Sequence, residues 1–98
     1  MKILAIEKEV PGVVAEQFNS MLLKAEAVRV WELHQEGTIR ELYFRQDRQD
    51  AVLVLECADA KDALKFLGTL PLVEEGLITF EVIPLGAYPG FARLFGDR

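Results

Sequence analysis

The apolar run at residues 51–55 constrains the fold of this chain more than any other stretch. Its five consecutive apolar residues predict a β-strand in which neither face is reserved for water. A second predicted strand, over residues 2–8, contains Ile3-Leu4-Ala5-Ile6 and has the same character. Both strands are therefore expected at the centre of a sheet that is covered on both faces.

Hydrophobic periodicity and turn residues place the remaining elements around these two strands. A turn is expected at Val10-Pro11-Gly12, a helix end at Gly37 and a helix cap at Asp59. The predicted elements are a helix over residues 13–36, a strand over 38–46, a helix that starts after residue 59 and stops at 70–72, and a strand over 77–85. The order β-α-β-β-α-β predicts a ferredoxin-like α+β fold, a four-stranded antiparallel sheet with two helices on one face.

Two helices cover only one face of such a sheet, although the central strands are apolar on both faces. We therefore expect two copies to pack sheet against sheet as a dimeric α/β barrel. The chain is interpreted as one domain over residues 1–98. Its apolar tail, residues 86–98, is predicted to pack on the partner subunit.

The amino-acid composition of the chain argues against several classes of function. A net charge of −5 argues against nucleic acid and anionic membrane surfaces as partners. With no recognisable signal peptide and a single cysteine, Cys57, a reducing cytoplasm is expected. Metal-binding and nucleotide-binding motifs are absent from the sequence, so no metal and no cofactor are predicted. The predicted partners are a second copy of the chain and a small-molecule acid.

The first helix carries charge on its inward face. Its apolar stripe comprises Val14, Phe18, Met21, Leu22, Ala25, Val28 and Leu33. Arg29 and Glu32 fall inside this stripe and Glu26 lies at its edge. Two interpretations are open: Arg29 and Glu32 pair with each other or reach solvent at the helix end, or these charges line a polar pocket.

An ordered series of short matches runs through residues 22–90. The matching residues are Leu22, Glu26, Leu33, Glu36-Gly37-Thr38, Arg40, Leu42, Tyr43, Leu70-Pro71-Leu72, Glu81-Val82 and Pro89. In this series the chain resembles the muconolactone isomerase family, small enzymes with a dimeric ferredoxin-like fold.

The resemblance implies a proton shift within an unsaturated lactone acid, without a cofactor. Such a reaction needs a base, an acid and a cation for the substrate carboxylate. Glu26 is the predicted catalytic base, because an apolar surrounding raises the pKa of a carboxylate, and Arg40 is the predicted carboxylate-binding group. The further predicted substrate-binding residues are Arg29, His34, Tyr43 and Tyr88.

Two other functions remain open on the same fold. One is a non-catalytic oligomeric stress or regulatory module, and the other is a cofactor-free monooxygenase-like relative. A polar cavity with Glu26, Arg29 and Arg40 would favour the isomerase-type enzyme or binder. A filled core would favour the module, and an apolar cavity rimmed by tyrosine and histidine would favour the monooxygenase.

Overall fold

The computed structural model describes residues 1–96 and contains a four-stranded antiparallel sheet. Its strands are β1 (Lys2–Glu9), β2 (Ile39–Phe44), β3 (Ala51–Glu56) and β4 (Ile78–Pro84), in the order β2-β3-β1-β4. Three α-helices join them: α1 (Ser20–Gln35), α2 (Ala60–Leu67) and the one-turn α3 (Pro71–Glu74). The predicted α+β class and the central position of β1 and β3 are confirmed.

The hydrophobic core lies between the helices and one face of the central strand pair. In this pair Ile3 lies opposite Leu55 and Ala5 opposite Leu53, and all four side chains are buried. They pack in one cluster with side chains from the helices, including Leu33 of α1. Cys57 joins the same cluster just after β3 as a small buried side chain.

The opposite face of the sheet is apolar at its centre. It carries Leu4, Ile6, Val52, Val54 and Ile83, which neighbour one another in the strand registers. These side chains are half-buried, and none of them belongs to the two core clusters formed by the described residues. We call this set the free sheet face. It is the surface for which the sequence predicts a second subunit.

Helix α1 begins later than its periodicity predicts. The periodicity predicts a helix over residues 13–36, but α1 starts at Ser20 and is preceded by a short 3-10 turn, Ala15–Gln17. Asn19 caps it: its Oδ1 accepts a hydrogen bond from the backbone N–H of Leu22 at 2.9 Å. A cap of this kind is typical of a helix start, yet here it stands inside an apolar pattern that looks continuous. At the other end Gly37, with φ of +86°, follows the helix as predicted.

The predicted inward stripe of α1 is only partly correct. Leu33 is buried, whereas Met21 is 82% exposed and Val28 is 51% exposed. Because α1 packs beside β2 and α3 rather than across the middle of the sheet, only one flank of the helix is covered.

The connection after α2 also differs from the prediction. Asp59 caps α2 as expected, accepting a hydrogen bond from the N–H of Asp62 at 2.7 Å. The segment Leu70-Pro71-Leu72 does not stop this helix, which ends at Leu67. Pro71 instead opens α3, because the fixed φ of proline suits a first helical position.

A β-bulge in β2 interrupts the regular alternation of side chains along that strand. Ile39 pairs with Leu55 and Leu42 pairs with Leu53, so the register shifts between Ile39 and Glu41. Two residues that alternation would put on opposite faces, Ile39 and Leu42, therefore both face the helices. Arg40 is the extra residue that the bulge accommodates.

Candidate active site

A cleft of about 420 Å³ opens between α1 and the sheet. Its walls come from α1, from all four strands and from the segment around α3. Eleven of the lining residues are apolar: Leu23, Ala27, Val30, Leu42, Phe44, Ala51, Leu53, Leu70, Leu72, Ile78 and Phe80. The other three are Glu7, Glu26 and Tyr43. A cleft of this size and character is typical of a site for a small organic molecule.

Glu26 lies on the α1 side of the cleft and is half-buried. Its Oε1 accepts a hydrogen bond at 2.9 Å from the backbone N–H of Leu72, which belongs to the first turn of α3. That N–H has no partner within its own helix, so Glu26 also has a structural role in joining α1 to α3. Its Oε2 makes no hydrogen bond to any described residue. All fully buried side-chain oxygens of the described residues have a hydrogen-bond partner, so Oε2 is not fully buried and is open to solvent.

Glu7 lies on the sheet side of the same cleft, and sequence reasoning missed it. Ile3, Ala5 and Glu7 alternate along β1, which puts Glu7 on the face that the helices cover. Its Oε1 accepts a hydrogen bond at 2.9 Å from the N–H of Ala51. The side chain stands where the cleft meets a second hollow of about 390 Å³. The alternation is a sequence signal that Glu7 shares a face with Ile3 and Ala5, but it does not tell that the helices cover this face.

The two carboxyl groups have pKa values above the ordinary glutamate range. Burial is the main cause that raises the pKa of Glu26, and the negative charge of Glu7 adds to it, while the N–H of Leu72 acts against both. Burial likewise raises the pKa of Glu7, against the N–H of Ala51, and the charge of Asp50 adds to the effect. Each group is thus held nearer to neutral pH, where a carboxyl can take up or release a proton.

Arg29 lies outside the cleft lining and joins two elements. Its Nε donates to Thr69 Oγ1 at 2.9 Å, and its Nη1 lies 3.1 Å from Glu32 Oε1. The predicted pairing of Arg29 with Glu32 is therefore confirmed. The contact with Thr69 gives the guanidinium a structural role, in holding α1 to the segment that follows α2.

Arg40 and His34 lie beyond the C-terminal end of α1 and outside the cleft lining. The Nε of Arg40 donates to the carbonyl oxygen of Gly37, and the side chain is exposed. His34 is half-buried, with Nδ1 2.9 Å from the carbonyl oxygen of Ile39, to which this nitrogen donates. The structure thus does not bring either residue to Glu26, and their predicted roles in substrate binding stay predictions.

The two predicted tyrosines have different positions. Tyr43 is part of the cleft lining, but it pairs with Val52 of the free sheet face, its hydroxyl donates to Glu41 Oε1 at 3.0 Å and the residue is 60% exposed. Tyr88 lies in the tail and stacks edge-on against Phe91, with ring centroids 5.1 Å apart. Of the six residues predicted from the sequence, Glu26 and Tyr43 are therefore the ones in the cleft lining, and by the strand register the side chain of Tyr43 belongs to the opposite face of the sheet.

Among residues 1–96, no group of three or more histidine, cysteine or acidic side chains is arranged to hold a metal ion. None of the helices in that part of the chain is long and apolar enough to cross a membrane.

Comparison with known proteins identifies the family of the chain and supports its fold. A family model described as muconolactone delta-isomerase matches residues 3–90. A crystal structure of muconolactone isomerase superposes with a TM-score of 0.70 at 22% identity, covering 91% of this chain and 92% of that one. A 5-chloro-2-hydroxyhydroquinone dehydrochlorinase from Burkholderia phenoliruptrix AC1100, solved with 2,5-dihydroxybenzoquinone, gives a TM-score of 0.63 at 17% identity, covering 92% and 98%. No curated protein matches the sequence. At these identities the two structures establish the fold.

Proposed function

Since this chain belongs to the muconolactone delta-isomerase family, we propose that its cleft binds a small unsaturated lactone or carboxylic acid and moves a proton within it. The observation that carries the proposal is the position of Glu26, a carboxylate with a raised pKa in the wall of an open and otherwise largely apolar cleft. No cofactor enters the proposed reaction.

The proposed chemistry uses Glu26 as a general base. Its free Oε2 removes the acidic proton of the lactone, and the electron pair moves into a conjugated enolate. In a lactone whose double bond is conjugated with the carbonyl, as in muconolactone, this proton lies on the carbon beyond the double bond; in the unconjugated isomer it lies on the carbon next to the carbonyl. The same carboxyl group then returns the proton to a different carbon, so the double bond shifts without any net gain or loss of atoms. The apolar walls favour this transfer, because they hold the carboxylate near the pKa at which it both accepts and releases a proton.

The proposed assembly is a dimer built on the free sheet face. Leu4, Ile6, Val52 and Val54 would then pack against their counterparts in a second copy. The tail supports an assembly as well, because Phe91, Leu94 and Phe95 are between 67% and 81% exposed. We propose that the tail, residues 86–98, packs on the partner subunit; residues 97 and 98 lie outside the described part of the chain.

Replacement of Glu26 by glutamine tests the proposed base. The glutamine side chain keeps an oxygen for the Leu72 N–H but cannot take up the proton, so Glu26→Gln is expected to lower the isomerisation rate of muconolactone by at least about 100-fold. The measurement is proton NMR of muconolactone in heavy water, which follows both the product and deuterium entry.

Glu36→Gln is the matched control, because Glu36 is an exposed carboxylate at the end of α1 and lies outside the cleft lining. Its rate should equal that of the wild-type protein. Equal rates for wild type and Glu26→Gln would remove Glu26 from the reaction.

The alternatives fit the cleft less well. A non-catalytic module was expected to have a filled core, whereas a cleft of about 420 Å³ stands open. A monooxygenase-like site was expected to have a rim of tyrosine and histidine, and only Tyr43 of these types lines the cleft in the described residues. The assignment of Arg40 to a substrate carboxylate stays a prediction, because its guanidinium lies outside the lining.

A further inference from the structure

Glu7 is a second carboxyl group in the cleft that the proton transfer by Glu26 leaves without a role. It reaches the cleft from the sheet while Glu26 reaches it from α1, so a ligand between helix and sheet meets one carboxyl group on each side. Oε1 of Glu7 is occupied by the Ala51 N–H, whereas its Oε2 makes no hydrogen bond among the described residues. Since the side-chain oxygens that are fully buried there all have partners, Oε2 is not fully buried.

An enolate forming in this cleft needs a hydrogen-bond donor. When a base removes the proton next to a carbonyl, negative charge develops on the carbonyl oxygen, and a positioned donor stabilises it. Within residues 1–96 the lining contains no lysine, arginine or histidine. The hydroxyl of Tyr43 is already donated to Glu41 at 3.0 Å. A protonated Glu7 is the remaining side chain in the lining that can donate.

The charges around Glu7 favour its protonated form. Glu7 and Glu26 repel each other when both are ionised. Asp50, next to Ala51 at the start of β3, adds its negative charge at Glu7. The cation that acts on Glu7 is Arg48, but its guanidinium is divided between Asp50, at 2.5 Å, and Glu9, at 3.2 Å.

The neighbouring strand does not offset these charges. On β4 the residue paired with Glu7 is Phe80, which carries no charge. A carboxyl group beside other carboxylates in an apolar site keeps its proton more readily, and a neutral carboxylic acid is an effective donor to an enolate oxygen.

We propose that Glu7 acts as a neutral carboxylic acid whose Oε2–H donates a hydrogen bond to the carbonyl oxygen of the bound lactone. The inference rests on the proposed function and gives the site a second catalytic residue. It also assigns an orientation: the ligand carbonyl points to the sheet and its acidic carbon to α1. The ligand class is then a carbonyl compound with an acidic neighbouring carbon.

The proton balance is simple. Glu26 breaks the carbon–hydrogen bond and gains the proton, and the electron pair forms the enolate. Glu7 keeps its own proton throughout and strengthens its hydrogen bond as charge grows on the oxygen. Glu26 then gives its proton to the second carbon, so both carboxyl groups return to their starting states and no co-reactant is needed.

The test compares Glu7→Gln with Glu7→Leu. Both remove the titrating group, but the glutamine amide still donates to the carbonyl oxygen and still offers an oxygen to the Ala51 N–H. The probe is 5-methyl-2(3H)-furanone, a lactone with no carboxylate, and its isomerisation is followed by proton NMR between pH 5 and 10. We expect kcat/KM to fall by about 100-fold or more in Glu7→Leu and by less than about tenfold in Glu7→Gln.

The pH profile separates this role from a structural one. In the wild-type protein kcat/KM should rise as the carboxyl pair first ionises and fall as it loses its second proton. Glu7→Gln should lose the falling limb. A wild-type rate in Glu7→Leu, or a falling limb kept in Glu7→Gln, would overturn the inference. If Glu26→Gln abolishes isomerisation and the Glu7 variants do not change it, the proposed function stands and the role of Glu7 is overturned. If the wild-type protein does not isomerise the lactone faster than the background reaction, both the proposed function and the role of Glu7 are overturned.

Discussion

At the scale of single residues, the cleft depends on two glutamates that serve the fold and the site at once. Glu26 and Glu7 each use one oxygen to accept a backbone N–H, from Leu72 and from Ala51. The other oxygen of each carboxyl group is left for a ligand. A glutamine at either position keeps the structural contact and removes the charge, so the two roles are separable by experiment.

The raised pKa values of Glu7 and Glu26 predict how stability depends on pH. A carboxyl whose pKa is higher in the folded protein contributes stability that is complete below the ordinary value of 4.5 and is lost as the pH rises through the folded pKa. Glu7→Gln should therefore gain stability relative to wild type between pH 4 and pH 8. Urea unfolding at several pH values measures the difference, with Glu36→Gln as the control for the loss of one charge. A difference that shrinks with rising pH would contradict the prediction.

The sequence identifies one of these glutamates and hides the other. Glu26 is found because a helical wheel places it beside Leu22 and Leu33, at the edge of an apolar stripe. Glu7 is hidden because β1 is apolar on both faces through Ile6, so no polar position stands out as inward. Only the folded sheet shows that Glu7 lies on the face that the helices cover.

At the scale of elements, caps and bulges decide where the predicted segments begin and which way they face. The apolar pattern runs through Asn19, and the pattern alone does not reveal that the chain turns there. The sequence predicts a helix stop at Pro71, although this proline opens α3. In β2 the bulge at Arg40 moves Ile39 to the inner face. Such local features are set by single residues and their backbone contacts, which hydrophobic periodicity does not reveal.

Removal of the α1 cap is expected to destabilise the protein. Asn19→Ala deletes the acceptor for the Leu22 N–H and should lower the free energy of unfolding by about 1 kcal/mol. The measurement is the midpoint of urea unfolding followed by circular dichroism. Ser20→Ala is the matched control, because Ser20 is the exposed first residue of the helix. An equal midpoint for Asn19→Ala and wild type would contradict the assigned cap.

At the scale of the whole molecule, the chain extends further than its length requires. Its radius of gyration is 16.3 Å, whereas a compact chain of this length has about 13 Å. The tail accounts for part of this, with exposed Phe91, Leu94 and Phe95, and the free sheet face leaves a second apolar surface. Both features follow from the sequence, since the apolar runs of β1 and β3 and the apolar tail already predicted surfaces in need of cover.

A charge on the free sheet face should abolish the proposed dimer. Val54 stands beside Leu4 at the centre of that face, so Val54→Glu is expected to convert a dimer mass into a monomer mass in light scattering at micromolar concentration. Circular dichroism checks that the fold persists. Lys65→Glu, on the exposed side of α2, is the control and should remain dimeric. A monomeric wild-type protein would overturn the proposed assembly.

The bulge in β2 has a consequence for how this strand tolerates length changes. Because Arg40 is the extra residue between two regular pairs, deletion of Arg40 would leave Leu42 opposite Leu53 and Phe44 opposite Ala51. Deletion of Glu41 has the same effect, because Arg40 then takes the position opposite Val54. Deletion of any one residue from 42 to 44 would instead move Glu41, and any residue between it and the deletion, to the other face of the sheet. Natural length variation in this strand is therefore expected to concentrate at positions 40 and 41.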